Sequence, residues 1–241
     1  MPERFVFRQI DYRDLPTFLA DGEVRSKNHP NPQICHQTSY QNLVQRRGTN
    51  NFQLPFGGVV NDCVAFYFSP LTSFTCAIHR GSVDVIPPND GAASTKSRLD
   101  DRVFLVARVT DLYIAGLECC FSNYALTTTV PKPIVVSDIN MLESHIDWTM
   151  FDEDEFYFAG EIPEIGYRGA CKFFYSRATP ERYQRRGSIR MAEFLVRTAV
   201  PMNTFICVVA PNAQKQALVS NMIQSAGYQL PVYSKPGCFV I

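Results

Sequence analysis

Apolar runs of strand length alternate along the chain with short helical stretches, and no internal repeat interrupts the alternation. The first run, Arg4 to Gln9 (RFVFRQ), predicts a strand. Asp11 then caps a helix with Asp14 three residues on; Leu15, Phe18 and Leu19 share its apolar face, and Gly22 ends it. Ser39 opens a second helix, SYQNLVQRR, whose Tyr40, Leu43, Val44 and Arg47 lie on one face before Gly48 stops it. Asp62 to Phe68 (DCVAFYF) reads as a buried strand, and Ser69 and Pro70 start a helix that runs through Ile78 towards Gly81. Further strands are expected over Arg102 to Val109, Cys119 to Ser122, Arg190 to Arg197 and Thr204 to Ala210. Asn212 caps a last helix that reaches Ala226 and closes at Gly227. This mixture predicts an α+β fold in a single domain spanning residues 1–241.

Two segments escape the pattern. Asp90 to Ser97 (DGAASTKS) has the small, polar composition of a mobile loop. Between Trp148 and Ser188 no clean period holds, which inside a compact domain marks a functional loop region. Its charges are sorted: Asp147 to Glu155 holds five acids and no base, whereas Lys172 to Arg190 holds six bases against the single acid Glu181. Over the whole chain 23 basic residues balance 23 acidic ones, so any nucleic-acid partner has to be met by a local patch.

The eight cysteines form no CxxC pair and the four histidines show no zinc-finger spacing, so no metal is expected. Cys63 and Cys207 sit inside apolar runs, where a free thiol packs as a small hydrophobe, as suits a reducing compartment. Met1-Pro2-Glu3-Arg4 lacks the layout of a signal peptide, and no apolar run approaches the roughly 18 residues of a membrane span. A cytoplasmic protein without a membrane partner is expected.

Three features carry candidate chemistry. In Met191-Ala192-Glu193-Phe194-Leu195-Val196 one carboxylate interrupts an apolar strand run, a place where Glu is depleted. It belongs either to a half-buried cleft or to an exposed strand edge. The pair Arg46-Arg47 ends a helix, where basic residues also simply favour the dipole. Arg177 to Arg190 (RATPERYQRRGSIR) interleaves bases with Tyr183, close to Tyr175, as a phosphate-tracking groove with stacking faces does and as a solvated loop also can.

Taken in order, three segments resemble the DarT family of DNA ADP-ribosyltransferases: the helix ending in Arg46-Arg47, the block Asp62 to Pro70 followed by Ala77-Ile78-His79-Arg80-Gly81, and the arginine-rich lead into Ala192 to Val196. The resemblance spans most of the chain. It implies an ADP-ribosyltransferase-like fold in which two facing mixed or antiparallel sheets, with peripheral helices, form a cleft for NAD. Glu193 then corresponds to the catalytic glutamate, and the essential arginine falls at Arg46 or Arg47. The loop region 148–188 corresponds to the substrate-recognition loop, with Arg177, Arg182, Arg185 and Arg186, together with His79 and Arg80, facing single-stranded DNA. Many relatives carry a first-strand His in a Tyr-His-x-Thr context; here the stretch reads Phe7-Arg8-Gln9-Ile10, which puts Arg8, Gln9 and Ile10 at the dinucleotide. The same resemblance implies a toxin restrained by a macrodomain antitoxin.

The chemistry fits these residue types. Breaking the bond between nicotinamide and ribose passes through an oxocarbenium-like transition state, which a carboxylate on a ribose hydroxyl stabilises beyond the ground state. The diphosphate wants a guanidinium fork. The aromatic faces of Tyr40, Tyr67 and Phe68 are candidates to hold nicotinamide and its neighbours. The acceptor is a nucleobase, thymine or guanine, in a single strand, where no extrusion cost arises. Transfer to RNA or protein, or a non-catalytic nucleic-acid-binding module, are the alternatives at this stage.

Overall fold

A computed structural model describes residues 2–49, 52–88 and 92–239. Eight strands build the main sheet: β1 (Phe5–Asp11), β2 (Cys63–Tyr67), β3 (Arg102–Arg108), β4 (Cys119–Ser122), β5 (Val135–Val136), β6 (Glu193–Arg197), β7 (Phe205–Ala210) and β8 (Val232–Ser234). Their order across the sheet is β8-β7-β3-β1-β2-β6-β4-β5. All neighbours are antiparallel except β7 and β8, so the sheet is mixed.

The two expected sheets are present as two halves of this one. β1 pairs with β3 along its whole length, from Phe5↔Arg108 to Asp11↔Arg102. β2 pairs with β6 from Glu193↔Tyr67 to Arg197↔Cys63. Between the halves only Phe7↔Tyr67 is in register. A sheet held by a single pair at its centre opens on either side of it, and a four-strand layer then stands on each side of the gap.

Packing follows the period of two. Val6 and Ile10 of β1 face a large core with Val64, Phe66, Phe194 and Val196, whereas Phe5 and Phe7 face a second cluster with Phe104 and Val106. Strands buried on both faces read as continuous apolar runs, which is how β2, β3 and β7 appear in the sequence.

The helices mostly follow their caps. Asp11 ends β1 and accepts a hydrogen bond from the Arg13 amide, leading through a single 3-10 turn into α1 (Leu15–Asp21), which Gly22 closes with φ 73°. α2 (Gln41–Arg47) starts two residues later than Ser39 predicts, with Tyr40 at its N-cap and no side-chain cap bond. α3 (Ser73–His79) is not started by Ser69 and Pro70: Thr72 and Thr75 form a reciprocal capping box, and Ser69 instead accepts from the Leu71 amide in the preceding turn. Asn212 accepts from the Lys215 amide and caps α4 (Ala213–Ser225) as expected. None of the helices among the described residues is long and apolar enough to cross a membrane.

Two further boundaries move. Arg190 to Ala192 are not strand: a short helix, Arg186–Ile189, precedes β6, and Glu193 is the strand's first residue. Of the loop expected at 90–97, Asp90 and Gly91 lie outside the described residues, while Thr95–Lys96 pairs with Asp84–Ile86. The region 148–188 consists of short pieces, including the helix Thr149–Asp152 and the two-residue strands Phe158–Ala159 and Ala170–Cys171, which pair with each other.

Candidate active site

Where the halves of the sheet part, a cleft of about 530 Å³ opens, with Arg8, Gln9, Tyr67, Phe74, Arg102 and Glu193 among its lining residues. That volume lies within the usual range of small-molecule sites. Antiparallel partners point to the same face, so the register Glu193↔Tyr67 and Phe7↔Tyr67 aims the Glu193 carboxylate and the Tyr67 phenol at the cleft side by side.

Glu193 is 3% exposed. Its backbone amide donates to Ser122 Oγ at 3.0 Å, which pins the start of β6 to β4. Both carboxylate oxygens receive the Arg47 guanidinium: Nη1 lies 3.0 Å from Oε1 and 2.8 Å from Oε2. Of the two consecutive arginines, Arg47 is the one that reaches this carboxylate. Arg46 is exposed at the end of α2. Burial works most strongly against the charge on Arg47, yet the charge and hydrogen bond of Glu193 together with the neighbouring Tyr67 and Cys63 hold the guanidinium pKa above its ordinary value.

Arg8 lies next to this pair and donates from Nη1 to the Ala65 carbonyl at 2.9 Å. Burial, and then repulsion by Arg47, bring its pKa down to about 10, so it remains a cation at neutral pH. Tyr67 is pushed well up, first by burial and then by the charge of Glu193, and stays a neutral phenol. Gln9 lines the cleft and meets His79 Nε2 through its amide nitrogen, while Ile10 divides its side chain between the cleft wall and the core.

Two aromatic expectations are corrected. Phe68 follows Tyr67 and so turns to the opposite side, where it is 3% exposed and packs edge-on against Trp148 and Phe194. Tyr40 stands outside the cleft lining, 6.3 Å from the ring of Phe74. Phe74 itself lies 6.4 Å from Tyr67 and supplies the second aromatic face of the cleft.

The residues expected on DNA divide. Arg80, Arg177, Arg182 and Arg185 are exposed. His79 is instead packed between Phe104 and Phe239, where burial lowers its pKa to about 4 and removes the positive charge a phosphate contact would use. Arg186 is buried: its Nη2 reaches Glu153 at 2.9 Å and its guanidinium covers the Tyr183 ring at 3.7 Å. The acidic and basic stretches thus partly neutralise each other, since Glu153 also attracts Arg182, and Arg168 bridges Asp152 and Glu155.

Several contributors had no separate signal in the sequence. The Asp14 carboxylate accepts from both the backbone amide and Nδ1 of His36, at 3.1 and 2.6 Å, and both residues line the cleft. Arg102 lines it too. Among the described residues no group of His, Cys, Asp and Glu side chains could hold a metal ion, and the eight cysteines are free thiols.

A family model described as "ssDNA thymidine ADP-ribosyltransferase, DarT" matches residues 7–240. No curated protein matches the chain. Among solved structures, the DarT of Thermus sp. 2.9 in complex with ADP-ribosylated ssDNA is similar at TM-score 0.75 and 17% identity, covering 98% of this chain and 96% of that one. The same DarT in complex with NAD+ gives 0.71 at 17% identity, covering 100% and 99%. DarTG of Thermosipho africanus in complex with ADP-ribose gives 0.61 at 14% identity, over 98% of this chain and 51% of that one. At these identities the structural likeness establishes the fold.

Proposed function

The chain belongs to the DarT family of ssDNA thymidine ADP-ribosyltransferases, and on that premise we propose that its cleft binds NAD and transfers the ADP-ribosyl group to thymine in single-stranded DNA, with Glu193 and Arg47 as the catalytic pair. One observation carries the site assignment: a carboxylate that the fold buries almost completely in a cleft wall, with a guanidinium across both its oxygens. Nothing in folding alone favours that expense, because buried ion pairs contribute little net stability.

In this reading Glu193 accepts a hydrogen bond from a hydroxyl of the nicotinamide ribose and stabilises the cationic sugar as the glycosidic bond breaks. Arg47 holds the Glu193 carboxylate in its orientation. Tyr67 and Phe74 flank the nicotinamide, and Arg8 replaces the first-strand His of many relatives as a contact to ribose or phosphate. The base nitrogen that attacks must lose a proton, and the Glu193–Arg47 pair is placed to assist. Exposed Arg177, Arg182 and Arg185 guide the strand, with Arg80 at the end of α3.

The whole chain acts as one transferase domain, in the cytoplasm. It is a toxin whose modification a macrodomain partner removes; the resemblance supports this part, and co-expression with such a partner should restore growth. The acceptor is tested by mass spectrometry on oligonucleotides incubated with NAD. Only strands containing thymidine should gain one ADP-ribose per modified base, and equal labelling of a thymidine-free strand contradicts the reading.

A further inference from the structure

Arg102 heads β3, opposite Asp11 of β1, and is 1% exposed. Its Nη1 donates to Thr38 Oγ1 at 2.8 Å. Its Nη2 lies 3.7 Å from Asp11 Oδ2, too far for a hydrogen bond, because that carboxylate is engaged by Arg13 through Nε at 2.8 Å and Nη2 at 2.6 Å. Buried Nε and Nη2 of Arg102 have no hydrogen-bond partner. A buried donor left without an acceptor is destabilising, and more so when it is charged. Burial also pulls the guanidinium pKa down, so the fold gains little from holding this cation in the cleft wall.

Position narrows the ligand. Glu193 is level with Tyr67 and hence with Phe7, and four residues of antiparallel strand, about 13 Å, separate Phe7 from Asp11 and its partner Arg102. A dinucleotide whose nicotinamide ribose lies at Glu193 is long enough to reach this end of the same cleft. The vacant donors are a charged fork, the group suited to phosphate oxygens. Phosphate oxygens come either from the dinucleotide or from DNA. The burial of Arg102 in the cleft wall, where it is 1% exposed, favours the dinucleotide over a strand lying across the surface.

We propose that Arg102 anchors the adenosine-side diphosphate of NAD, with its unpartnered Nε and Nη2 as the donors. The proposal rests on the NAD reading of the cleft for the identity of the ligand, but its test uses ligands that are not consumed. Calorimetric titration of the intact protein with ADP and with adenosine should give at least about ten-fold tighter binding of ADP. In Arg102→Met that preference should collapse to about two-fold or less, with adenosine binding retained and affinity for a thymidine oligonucleotide unchanged. Arg102→Lys, which keeps the charge without the fork, should restore part of the preference and covers the case in which the Met variant fails to fold. An unchanged ADP preference in either variant overturns the proposal, as does a loss of oligonucleotide affinity equal to the loss for ADP, which would assign Arg102 to DNA. A wild-type protein with an Arg102-dependent ADP preference and no transfer product would leave this subsite standing and sink the proposed reaction instead.

Discussion

Arg102 and Arg190 are both almost completely buried, one in the wall of the cleft and the other beneath the loop region. Arg190 donates to the carbonyls of Met150, Cys171 and Leu71 and to Ser69 Oγ, and its guanidinium lies 4.8 Å from the Phe151 ring centre. It ties the pieces of 148–171 to the turn before α3, three residues ahead of Glu193. Only Nε of Arg190 is left without a partner, whereas Arg102 has one acceptor and two vacant nitrogens, Nε and Nη2. Burial therefore does not separate a structural cation from a ligand-binding one; the tally of satisfied donors does.

The largest effect is expected within the cleft. Removing Arg47 should cut transfer about a hundred-fold or more, on the scale of deleting one preorganised donor, whereas Arg46→Ala should leave steady-state turnover within about two-fold. Equal losses in the two variants would break the distinction drawn between neighbouring arginines. For the structural cation the readout is stability. Arg190→Met strands four acceptors and should lower unfolding free energy by about 3 kcal/mol in urea titrations; a loss confined to turnover would move Arg190 into the catalytic machinery.

Acid should expose another buried group. The folded pKa of His79 is about 4, below its ordinary value. As pH falls from about 6.5 towards 4 the unfolded chain takes up the proton first. Stability present at neutral pH is therefore lost across that window, and the loss levels off below it. In His79→Asn the difference in urea midpoint between pH 7 and pH 5 should shrink. The smallest effect concerns the basic stretch. Arg177→Ala and Arg185→Ala should each reduce the salt slope of oligonucleotide binding by about one. Arg186→Ala, which loses a Glu153 contact rather than a phosphate, should lower thermal stability and leave that slope unchanged.

Much of this was legible in the chain, for identifiable reasons. A lone acid inside an apolar run marks Glu193, because strands rarely bury a charge without a use for it. Helix ends at Gly22 and Gly227 follow from residues that tolerate positive φ. Which of Arg46 and Arg47 meets Glu193 was not legible, since adjacent helical residues differ only in azimuth and the partner lies 146 positions away. Tyr67 and Phe68 have the same limitation with an alternating strand: one faces the cleft, and the period alone does not say which. Arg186 looks like a free base until Glu153 is brought beside it by folding. Arg102 stands at the head of a predicted strand, where a charge is ordinary, and its significance emerged only once its missing partners were counted.

The most direct test of the central claim is the product mass of a thymidine oligonucleotide after incubation with NAD and Glu193→Gln, compared with the unaltered protein. The substitution keeps the shape and removes the charge. No ADP-ribosylated strand should form although the variant remains folded and still binds ADP; modification at the unaltered rate would contradict the assignment of Glu193 as the catalytic carboxylate.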